Sequence, residues 1–528
     1  MKFAERTPRR SERAVPARRG LPALLLTACL GVGAAQAQEG TPAAPAACLS
    51  VGRVEVQVTD GKLPAELAFV RTGLVTLPTG CLTEEALSRL LTEANNALLR
   101  RGYLTTRVTL PEQNVSGGTL RLTLTPGRIE SVVLEGGLLA DAGALALKPG
   151  ALLRVRDLDQ SVETLNRLTS VQATARIEPG SRPGLSVVRL QVARQGGAVS
   201  GSVGVQARPY QNPGAVNVSG SFTVDNPLRR ADQLRLSANL SPGLLASGAD
   251  ATGGAGFGVA YSLPRGSGLY TLGGGYSASN QARAGYVDIL NYGNRGWNVY
   301  AAGTWTVARQ GSARTDLNAQ LSLADSSASL NGTEIEVQRA RVVGLDTSVS
   351  RSGGQGAWSY SAVIGNRYEY RSNPLREGLT SSSDVLYGNG AVSYAWANGA
   401  QWRSEGDFHF GLLTPQAQPY TISGATVRGA GATQLSSDHG FTLRNAFSYP
   451  LPVRSQMASA ALYGAADYGF VTGSNVGELP GQQLLGAAVG VQGQLQRFGY
   501  DLALGYPVIQ PDTFRSAPNV AFSLRYFF

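Results

Sequence analysis

The chain has 528 residues, 66 glycines, 16% charged residues and a formal net charge of +10. This length exceeds one compact core, so two or more domains are expected, and the glycine content favours a β-rich protein with many tight turns. Residues 1–37 carry seven basic side chains against two acidic ones, which leaves a net charge of +5, without basic runs, for the rest of the chain. That distribution argues against a nucleic-acid-binding protein.

The first 37 residues have the organisation of a secretory signal peptide. A basic segment precedes the apolar stretch Leu21–Val32 and the small-x-small cleavage site Ala35-Gln36-Ala37. Lipidation of Cys29 is the alternative, although the apolar run before it is short. Residues 38–47 are rich in Pro and Ala and are expected to be disordered. No other segment approaches the ~20 apolar residues of a spanning helix, so a membrane domain would have to be a β-barrel.

Two cysteines, Cys48 and Cys81, remain after cleavage of the signal peptide. An exported protein reaches an oxidising compartment, where an isolated pair favours a disulfide; two buried free thiols are the alternative. The bond would close a loop of about 34 residues and stabilise its domain by roughly 3–4 kcal/mol in the chain-entropy model.

The first half of the chain predicts two small α/β units. In the first unit, residues 48–128, we expect strands at 53–58, 104–110 and 118–124 and a helix from Thr83 to Arg101. In the second unit, residues 129–196, we expect strands at 129–134, 173–177 and 186–193 and a helix at 157–168. Neither unit contains a catalytic triad, a metal-spaced His/Cys cluster or a phosphate-binding glycine loop. The sequence therefore predicts neither an enzyme nor a cofactor.

From about residue 197 the sequence consists of short alternating segments, the clearest of which is 519–528. Alternation fits a soluble sandwich as well as a membrane barrel, but the connections separate the two. We place sixteen strands between 198 and 528, joined alternately by short turns and by longer loops such as 279–296, which is typical of an outer-membrane β-barrel. Phe528 is expected to close the barrel as a terminal aromatic residue, and aromatic side chains near strand ends to form interfacial girdles.

Two segments of the first half carry a family resemblance. Arg101–Pro111 followed by Gly118–Ile129 resembles the first polypeptide-transport-associated (POTRA) domain of two-partner secretion transporters, the haemolysin-activator or TpsB type. Leu158–Leu168 resembles the second POTRA domain, and Cys48 and Cys81 match the family's disulfide. The resemblance implies POTRA domains in the periplasm and a sixteen-stranded barrel at 197–528 in the bacterial outer membrane.

The resemblance also implies partners. It predicts a large secreted exoprotein of the haemolysin or adhesin type, recruited by the POTRA domains and passed through the barrel without ATP. Outer-membrane lipid and, during biogenesis, the barrel assembly machinery are the other expected partners.

The longest predicted loop, 412–440, contains a motif that the resemblance makes informative. In the family this loop folds back into the barrel and is held by a Val-Arg-Gly-aromatic motif. The present sequence has Val427, Arg428 and Gly429, but Ala430 replaces the aromatic residue. This departure makes the depth of the loop's anchoring an open question.

The family's partner for the loop arginine is an aspartate on a lumen-facing strand. Residues 464–469 match that motif, which assigns Asp467 and Gly469 to the lumen side. Losing one partner of a buried Arg–Asp pair costs about 3–5 kcal/mol. The alternative is that Arg428 is an exposed loop residue and Asp467 an unrelated acid.

Two other functions fit parts of the sequence: an assembly factor for outer-membrane barrels from the same superfamily, and a passive porin. Two POTRA-like units, where assembly factors have larger arrays, favour the secretion transporter, and a porin would need none. Family members often carry an N-terminal helix that plugs the barrel. Residues 38–47 are too short for such a helix, so we expect the Arg428 loop alone to block the pore.

Overall fold

The computed structural model describes residues 49–70, 81–114, 118–139, 142–207, 216–241, 252–284, 289–413, 418–431, 433–453, 455, 457–514 and 517–528. The predicted signal peptide, the predicted disordered segment and Cys48 lie outside these ranges. The disulfide therefore stays a prediction, although the backbone of Cys81 is placed opposite Ser50 in a two-stranded pairing. No helix in the described ranges is long and apolar enough to span a membrane.

The first α/β unit (residues 49–127) consists of a three-stranded sheet, a two-stranded pairing and one helix. Its elements are β1 (Leu49–Ser50), β2 (Arg53–Val58), β3 (Cys81–Leu82), α1 (Glu84–Arg100), β4 (Arg107–Thr109) and β5 (Thr119–Thr125). The sheet order is β2-β5-β4, with β2 parallel to β5. The hydroxyl of Thr83 accepts a hydrogen bond from the Ala86 amide at 3.2 Å, which caps α1. Leu90, Ala94 and Leu98 are buried on the inner face of α1.

The second α/β unit (residues 128–196) repeats this arrangement. Its elements are β6 (Arg128–Glu135), α2 (Val155–Asn166), β7 (Val171–Pro179) and β8 (Leu185–Arg194), with sheet order β6-β8-β7. Leu145, Leu147 and Leu153 complete its core from the irregular segment before α2, for which the sequence analysis proposed no structure. The units are joined by the Val155 amide, which donates to the Gly102 carbonyl at 2.9 Å.

The remaining strands form one closed antiparallel barrel. They are β9 (Val199–Ala207), β10 (Val216–Asp225), β11 (Gln233–Ser241), β12 (Gly253–Arg265), β13 (Gly268–Ala284), β14 (Ile289–Gln310), β15 (Ala313–Leu330), the short hairpin arm β16 (Thr333–Glu334), β17 (Ala340–Gln355), β18 (Trp358–Ser372), β19 (Thr380–Ala395), β20 (Gln401–Leu413), β23 (His439–Pro450), β24 (Ala458–Thr472), β25 (Gln483–Leu495), β26 (Phe498–Ile509) and β27 (Asn519–Phe527). Two further strands, β21 (Tyr420–Ser423) and β22 (Gln434–Ser437), pair with each other. Apart from β16, which pairs only with the end of β15, sixteen strands make the wall, as predicted.

The predicted long loop at 279–296 is wrong. Strands β13 and β14 stay paired there, with Ser279 opposite Asn294 and Ala284 opposite Ile289. The paired ends of β13 and β14 carry Ser, Asn, Gln and Arg, so the alternation of apolar residues is lost there. That loss is why the sequence predicts a loop in this segment. Backbone pairing does not need the apolar alternation.

Apolar side chains cover the outside of the barrel. In the last strand, Val520 is 60% exposed and Leu524 44% exposed, whereas Asp467, on the opposite face of β24, is fully buried. A soluble sandwich would bury its apolar face, so this distribution identifies a membrane barrel. Phe528 lies just beyond β27, where its backbone exchanges hydrogen bonds with Gly201 of β9 at 3.1 and 3.2 Å across the closing seam.

The two ends of the barrel differ. At one end, here called the short-turn end, connections such as 266–267 and 311–312 are only two residues long. At the opposite, long-loop end, the connection between β20 and β23 spans residues 414–438 and contains the β21–β22 hairpin. The second α/β unit contacts the short-turn end.

Candidate functional site

The loop between β20 and β23 folds back into the barrel and packs against the lumen wall. Ile422, Val427, Ala430 and Leu435 of the loop form a buried apolar cluster with wall residues, among them Val471. Burial of this face stabilises the inward position of the loop. Ala430, which replaces the family's aromatic residue, is itself buried in this cluster.

Arg428 lies at the centre of the contact and binds Asp467 of β24. Its guanidinium donates to both carboxylate oxygens, Nε to Oδ2 at 2.7 Å and Nη2 to Oδ1 at 2.6 Å. The backbone amide of Arg428 donates to the same Oδ2 at 2.9 Å. Nη2 also reaches the carbonyl of Asn445 at 3.2 Å. A planar guanidinium matches a carboxylate in this two-point geometry, which favours Arg over Lys at this position.

Burial makes the loss of either partner of this ion pair costly. The Asp467 side chain is fully buried, and that of Arg428 is 25% exposed. A buried carboxylate that loses its partners retains its desolvation penalty, so removing either member costs about 3–5 kcal/mol. The geometry therefore suits an ion pair that holds the loop against the barrel wall; the Arg428–Asp467 pair is here called the lumen fastener.

Gly429 has to be glycine for two reasons. Its φ is +92°, a region that disfavours side chains. A Cβ atom there would also lie 2.6 Å from the Tyr506 carbonyl oxygen and 2.7 Å from that of Ala487. The close approach lets the Asn519 side-chain amide donate to the Gly429 carbonyl at 2.7 Å.

The wall beneath the loop is bare along a glycine strip formed by Gly469, Gly486 and Gly505 on β24, β25 and β26. A Cβ at Gly469 would lie 3.0 Å from side-chain carbons of Ile422 and Val427. A Cβ at Gly486 would lie 1.9 Å from the Arg428 carbonyl oxygen, and one at Gly505 would lie 2.7 Å from the Gly429 Cα. The strip therefore lets the loop backbone lie directly on the backbone of the wall. The sequence analysis assigned Gly469 through its motif and missed the other two glycines.

Two further polar contacts flank the motif, and both were missed from sequence. The Tyr420 hydroxyl donates to Asp407 of β20 and also lies 3.2 Å from the Thr442 hydroxyl. At the other end of the loop, Asp438 accepts hydrogen bonds at 2.6 Å from both the amide and the hydroxyl of Ser474. Asp438 is the nearest acid to Arg428 in sequence, yet it serves the loop end instead.

The two histidines, His409 and His439, lie on the paired strands β20 and β23 at neighbouring register positions, which their separation in sequence did not indicate. His439 stacks on Phe410 with ring centroids 4.4 Å apart, and its Nδ1 accepts a hydrogen bond from the Gly411 amide. Within the described residues, no group of three His, Cys, Asp or Glu side chains is arranged to hold a metal ion. Stacking and the backbone contact give His439 a structural role.

A second set of contacts fastens the second α/β unit to the short-turn end. Arg167, just after α2, donates to the Ala231 carbonyl at 2.6 Å and to the Ser262 hydroxyl at 3.0 Å. Asp225, at the end of β10, accepts from the Ser170 amide at 2.9 Å and from the Gln233 side chain at 2.8 Å. Ala231 is fully buried in the core of the second unit. Polar and apolar contacts thus bind this unit to the turn between β10 and β11.

An ion-pair cluster extends this attachment along the rim. Glu163 of α2 binds both Arg309 and Arg314, which flank the turn between β14 and β15. Arg309 also donates to Gln160 at 2.8 Å. The docked helix thereby reaches from the β10–β11 turn to the β14–β15 turn.

In each α/β unit, the side chain of an asparagine on the helix hydrogen-bonds to backbone groups on the open side of an edge strand. The Asn95 side chain donates to the Val108 carbonyl and accepts from the Val108 amide, both at 3.0 Å, on β4. Asn166 makes the same pair of bonds with Ala173 of β7, at 3.3 and 2.7 Å. These backbone groups are unavailable for pairing with an added strand. In the part of the unit that the structure describes, strand β2 has no such contact and pairs only with β5.

Comparison with known proteins supports the same architecture. The family model "haemolysin secretion/activation protein ShlB/FhaC/HecB" matches residues 184–493, a ShlB-type POTRA model matches 73–127, and a further POTRA model matches 128–179. "Outer membrane transporter CdiB-2" of Burkholderia pseudomallei is 29% identical over 89% of this chain and 84% of its own length. "Hemolysin transporter protein ShlB" of Serratia marcescens is 30% identical over 38% of this chain and 36% of its own length.

A solved structure shows the same fold. CdiB from Acinetobacter baumannii superposes with a TM-score of 0.78 at 21% identity, covering 92% of this chain and 91% of that one. The family match, the two POTRA matches and the closed barrel agree with one another. The chain therefore belongs to the haemolysin secretion/activation family ShlB/FhaC/HecB: it is an outer-membrane transporter of two-partner secretion with periplasmic POTRA domains and a secreted partner, and it is not an enzyme.

Proposed function

We propose that this protein recruits one large exoprotein of the haemolysin or adhesin type and secretes it through the barrel once the Arg428 loop has withdrawn. The observation that carries the proposal is the buried Arg428–Asp467 pair, which holds the loop across the lumen. The relative named as a hemolysin transporter supports this class of client.

Recruitment is assigned to the open strand edges of the two α/β units. An extended client segment can add to a sheet edge through backbone hydrogen bonds. Because the Asn95 and Asn166 side chains occupy backbone groups of β4 and the start of β7, the edges left open among the described residues are those of β2, of β6 beyond Ile129 and of the distal part of β7 around Ile177, which is 38% exposed. The second unit's attachment to the barrel rim would hold a bound client near the pore.

The energy for export is assigned to the client. The periplasm contains no ATP, so the gradient has to come from folding of the exoprotein outside the cell and from its capture at successive weak sites. Strand addition suits this role because individual backbone contacts are modest in net free energy.

Deletion of the gene tests the proposal against its alternatives. We expect loss of one large protein from the medium, with other outer-membrane barrels at normal levels. A general loss of barrels would instead identify an assembly factor, and an unchanged set of secreted proteins would leave a passive porin.

The substitution Arg428→Ala tests the loop. The variant should assemble in the outer membrane but secrete poorly, because the loop loses its bidentate contact with Asp467. The matched control is Arg367→Ala, which removes another lumen arginine paired with an acid on the adjacent strand, Asp346, at 2.9 Å. Secretion at the wild-type level in Arg428→Ala would contradict the role of the loop.

Single-channel recording tests whether the loop alone blocks the pore. Removal of residues 418–437 should convert a quiet channel into one with large, steady conductance. A pore that stays closed after this deletion would assign the block to another segment.

A further inference from the structure

Arg444 stands next to the loop fastener without belonging to it. Strand register aligns Glu405 of β20 with Arg444 of β23, and Arg444 with Asp467 of β24. All three positions face the lumen. The wall therefore presents an acid–base–acid row, and Arg428 enters it from the loop.

Arg444 makes only loose contacts in this row. Its Nε lies 3.6 Å from Asp467 Oδ2, and its Nη1 lies 4.0 Å from Glu405 Oε2. Both distances exceed a good charge-assisted hydrogen bond of about 2.7–2.9 Å. The Nε atom is buried and has no hydrogen-bond partner, although the side chain as a whole is 34% exposed. An unsatisfied donor therefore lies beside an occupied acceptor.

The acceptor is occupied by the loop. Arg428 supplies Asp467 with three hydrogen bonds, one from the backbone and two from the guanidinium. All three leave with the loop, whereas Asp467, which the inserted loop buries, stays on the wall. Withdrawal thus removes three donors from this carboxylate, and a charge-assisted hydrogen bond from a neighbouring cation stabilises the resulting state.

We infer that Arg444 is this replacement: it binds Asp467 when the loop withdraws and so stabilises the open transporter. Arg444 is a positioning residue that sets the balance between the inserted and withdrawn loop. A movement of about 1 Å brings its Nε from ion-pair distance to hydrogen-bond distance. The inference rests on the proposed gating role of the loop and adds a second arginine to it.

The first test compares pore opening in Arg444→Gln and Arg367→Gln. Arg444→Gln should lower the single-channel open probability and the rate of secretion by about tenfold, the loss expected for one charge-assisted hydrogen bond in the open state. Arg367→Gln, the control in a different lumen ion pair, with Asp346, should resemble the wild type. An unchanged or higher open probability in Arg444→Gln would overturn the inference.

The second test asks whether the two arginines substitute for each other, using the unfolding temperature of the full-length barrel. Arg444→Gln should lower it slightly, and Arg428→Ala by less than a fully unpartnered Asp467 would, because one arginine still serves Asp467 in each variant. The double variant should fall below the sum of the single effects by about 3 °C or more. Adding Asp467→Asn to the double variant should restore much of the lost unfolding temperature. Replacing Arg444→Gln by Arg444→Lys in the Arg428→Ala background should do the same. Additive effects would overturn the inference.

These tests separate the two proposals. Wild-type secretion in Arg428→Ala would contradict the gating role of the loop. The unfolding temperatures report on Asp467 alone, so they judge Arg444 independently of secretion.

Discussion

The barrel is fastened to two different segments, one at its rim and one in its lumen, and the two fasteners are built differently. At the rim, Arg167 and Asp225 are each satisfied mainly by uncharged groups, which include backbone carbonyl and amide groups and the side chain of Gln233. In the lumen, Arg428 binds Asp467 directly through two side-chain hydrogen bonds. The rim contact spreads over two turns of the barrel, whereas the lumen contact concentrates on one carboxylate.

The same residue types can therefore form a permanent or a releasable attachment. Breaking the rim contact exposes many separate polar groups and an apolar core residue, Ala231, at once. Breaking the lumen contact frees one carboxylate, and Arg444 lies 3.6 Å away from it. The rim therefore suits a fixed joint and the lumen a gate.

Among the variants considered, Gly429→Val should have the largest effect, a loss of loop closure. A side chain at φ +92° costs about 1–3 kcal/mol in backbone strain alone, and its Cβ would also collide with the Tyr506 and Ala487 carbonyls. The open probability in single-channel recordings should rise by at least about tenfold. Gly477→Val is the matched control, because a Cβ there meets nothing within 4 Å. A quiet Gly429→Val channel would show that the seat of the loop is not as tight as described.

Arg167→Ala should produce the opposite pattern. It leaves the Ala231 carbonyl and the Ser262 hydroxyl without this donor, at about 1–3 kcal/mol, so the second unit should detach more easily from the rim. Hydrogen exchange in α2 should accelerate and secretion should fall, while the channel stays closed. Arg176→Ala, on the exposed face of β7, is the control. An opened channel in Arg167→Ala would break the distinction between fixed joint and gate.

More of the fold than of the candidate site could be predicted from the sequence. Alternation between residues 198 and 528 located sixteen strands, because a barrel wall in lipid requires every second side chain to be apolar. It failed at 279–296, where pairing continues without an apolar face. The segment before α2, with Leu145 and Leu153 in the core, has no helical or strand period and so gave no signal.

The site was predicted only as far as its motifs reach. Arg428, Gly429, Asp467 and Gly469 were assigned through the family resemblance. Gly486 and Gly505 were not, since two glycines among 66 carry no individual signal until three strands are aligned. The partners of Arg167 lie more than 60 residues away along the chain, where only the tertiary fold brings them into contact.

A smaller effect is expected from Asn95→Ala. It removes both hydrogen bonds to Val108 and opens the edge of β4, which should reduce the stability of the first unit by about 1–3 kcal/mol. Thermal unfolding of the full chain should show an earlier transition, and client binding should increase if β4 becomes a second site for strand addition. Asn96→Ala, at the exposed neighbouring position, should do neither. Equal unfolding temperatures of Asn95→Ala and Asn96→Ala would contradict a stabilising role for the contact between Asn95 and β4.

The smallest effect concerns pH. Hydrogen bonding from Arg189 lowers the pKa of Glu178 below its ordinary value. A folded-state pKa below the unfolded value means that this contribution is present above about pH 4.3 and is lost as the pH falls through the folded pKa. Hydrogen-exchange protection of β7 should therefore decline below about pH 4.3 in the wild type and less so in Glu178→Gln. Identical profiles in the two proteins would exclude this pair as the cause.

The glycine strip has a consequence for how the loop moves. Interlocked side chains would act as a ratchet, so a departing segment would stop at each notch along the wall. Gly469, Gly486 and Gly505 remove such notches from the wall, and at Gly486 and Gly505 the loop backbone lies directly on the backbone of the strands. We therefore expect few barriers to sliding along this track. Once the ion pair releases, withdrawal should occur as a single cooperative slide, and single-channel traces should show abrupt full openings instead of a staircase of partial ones.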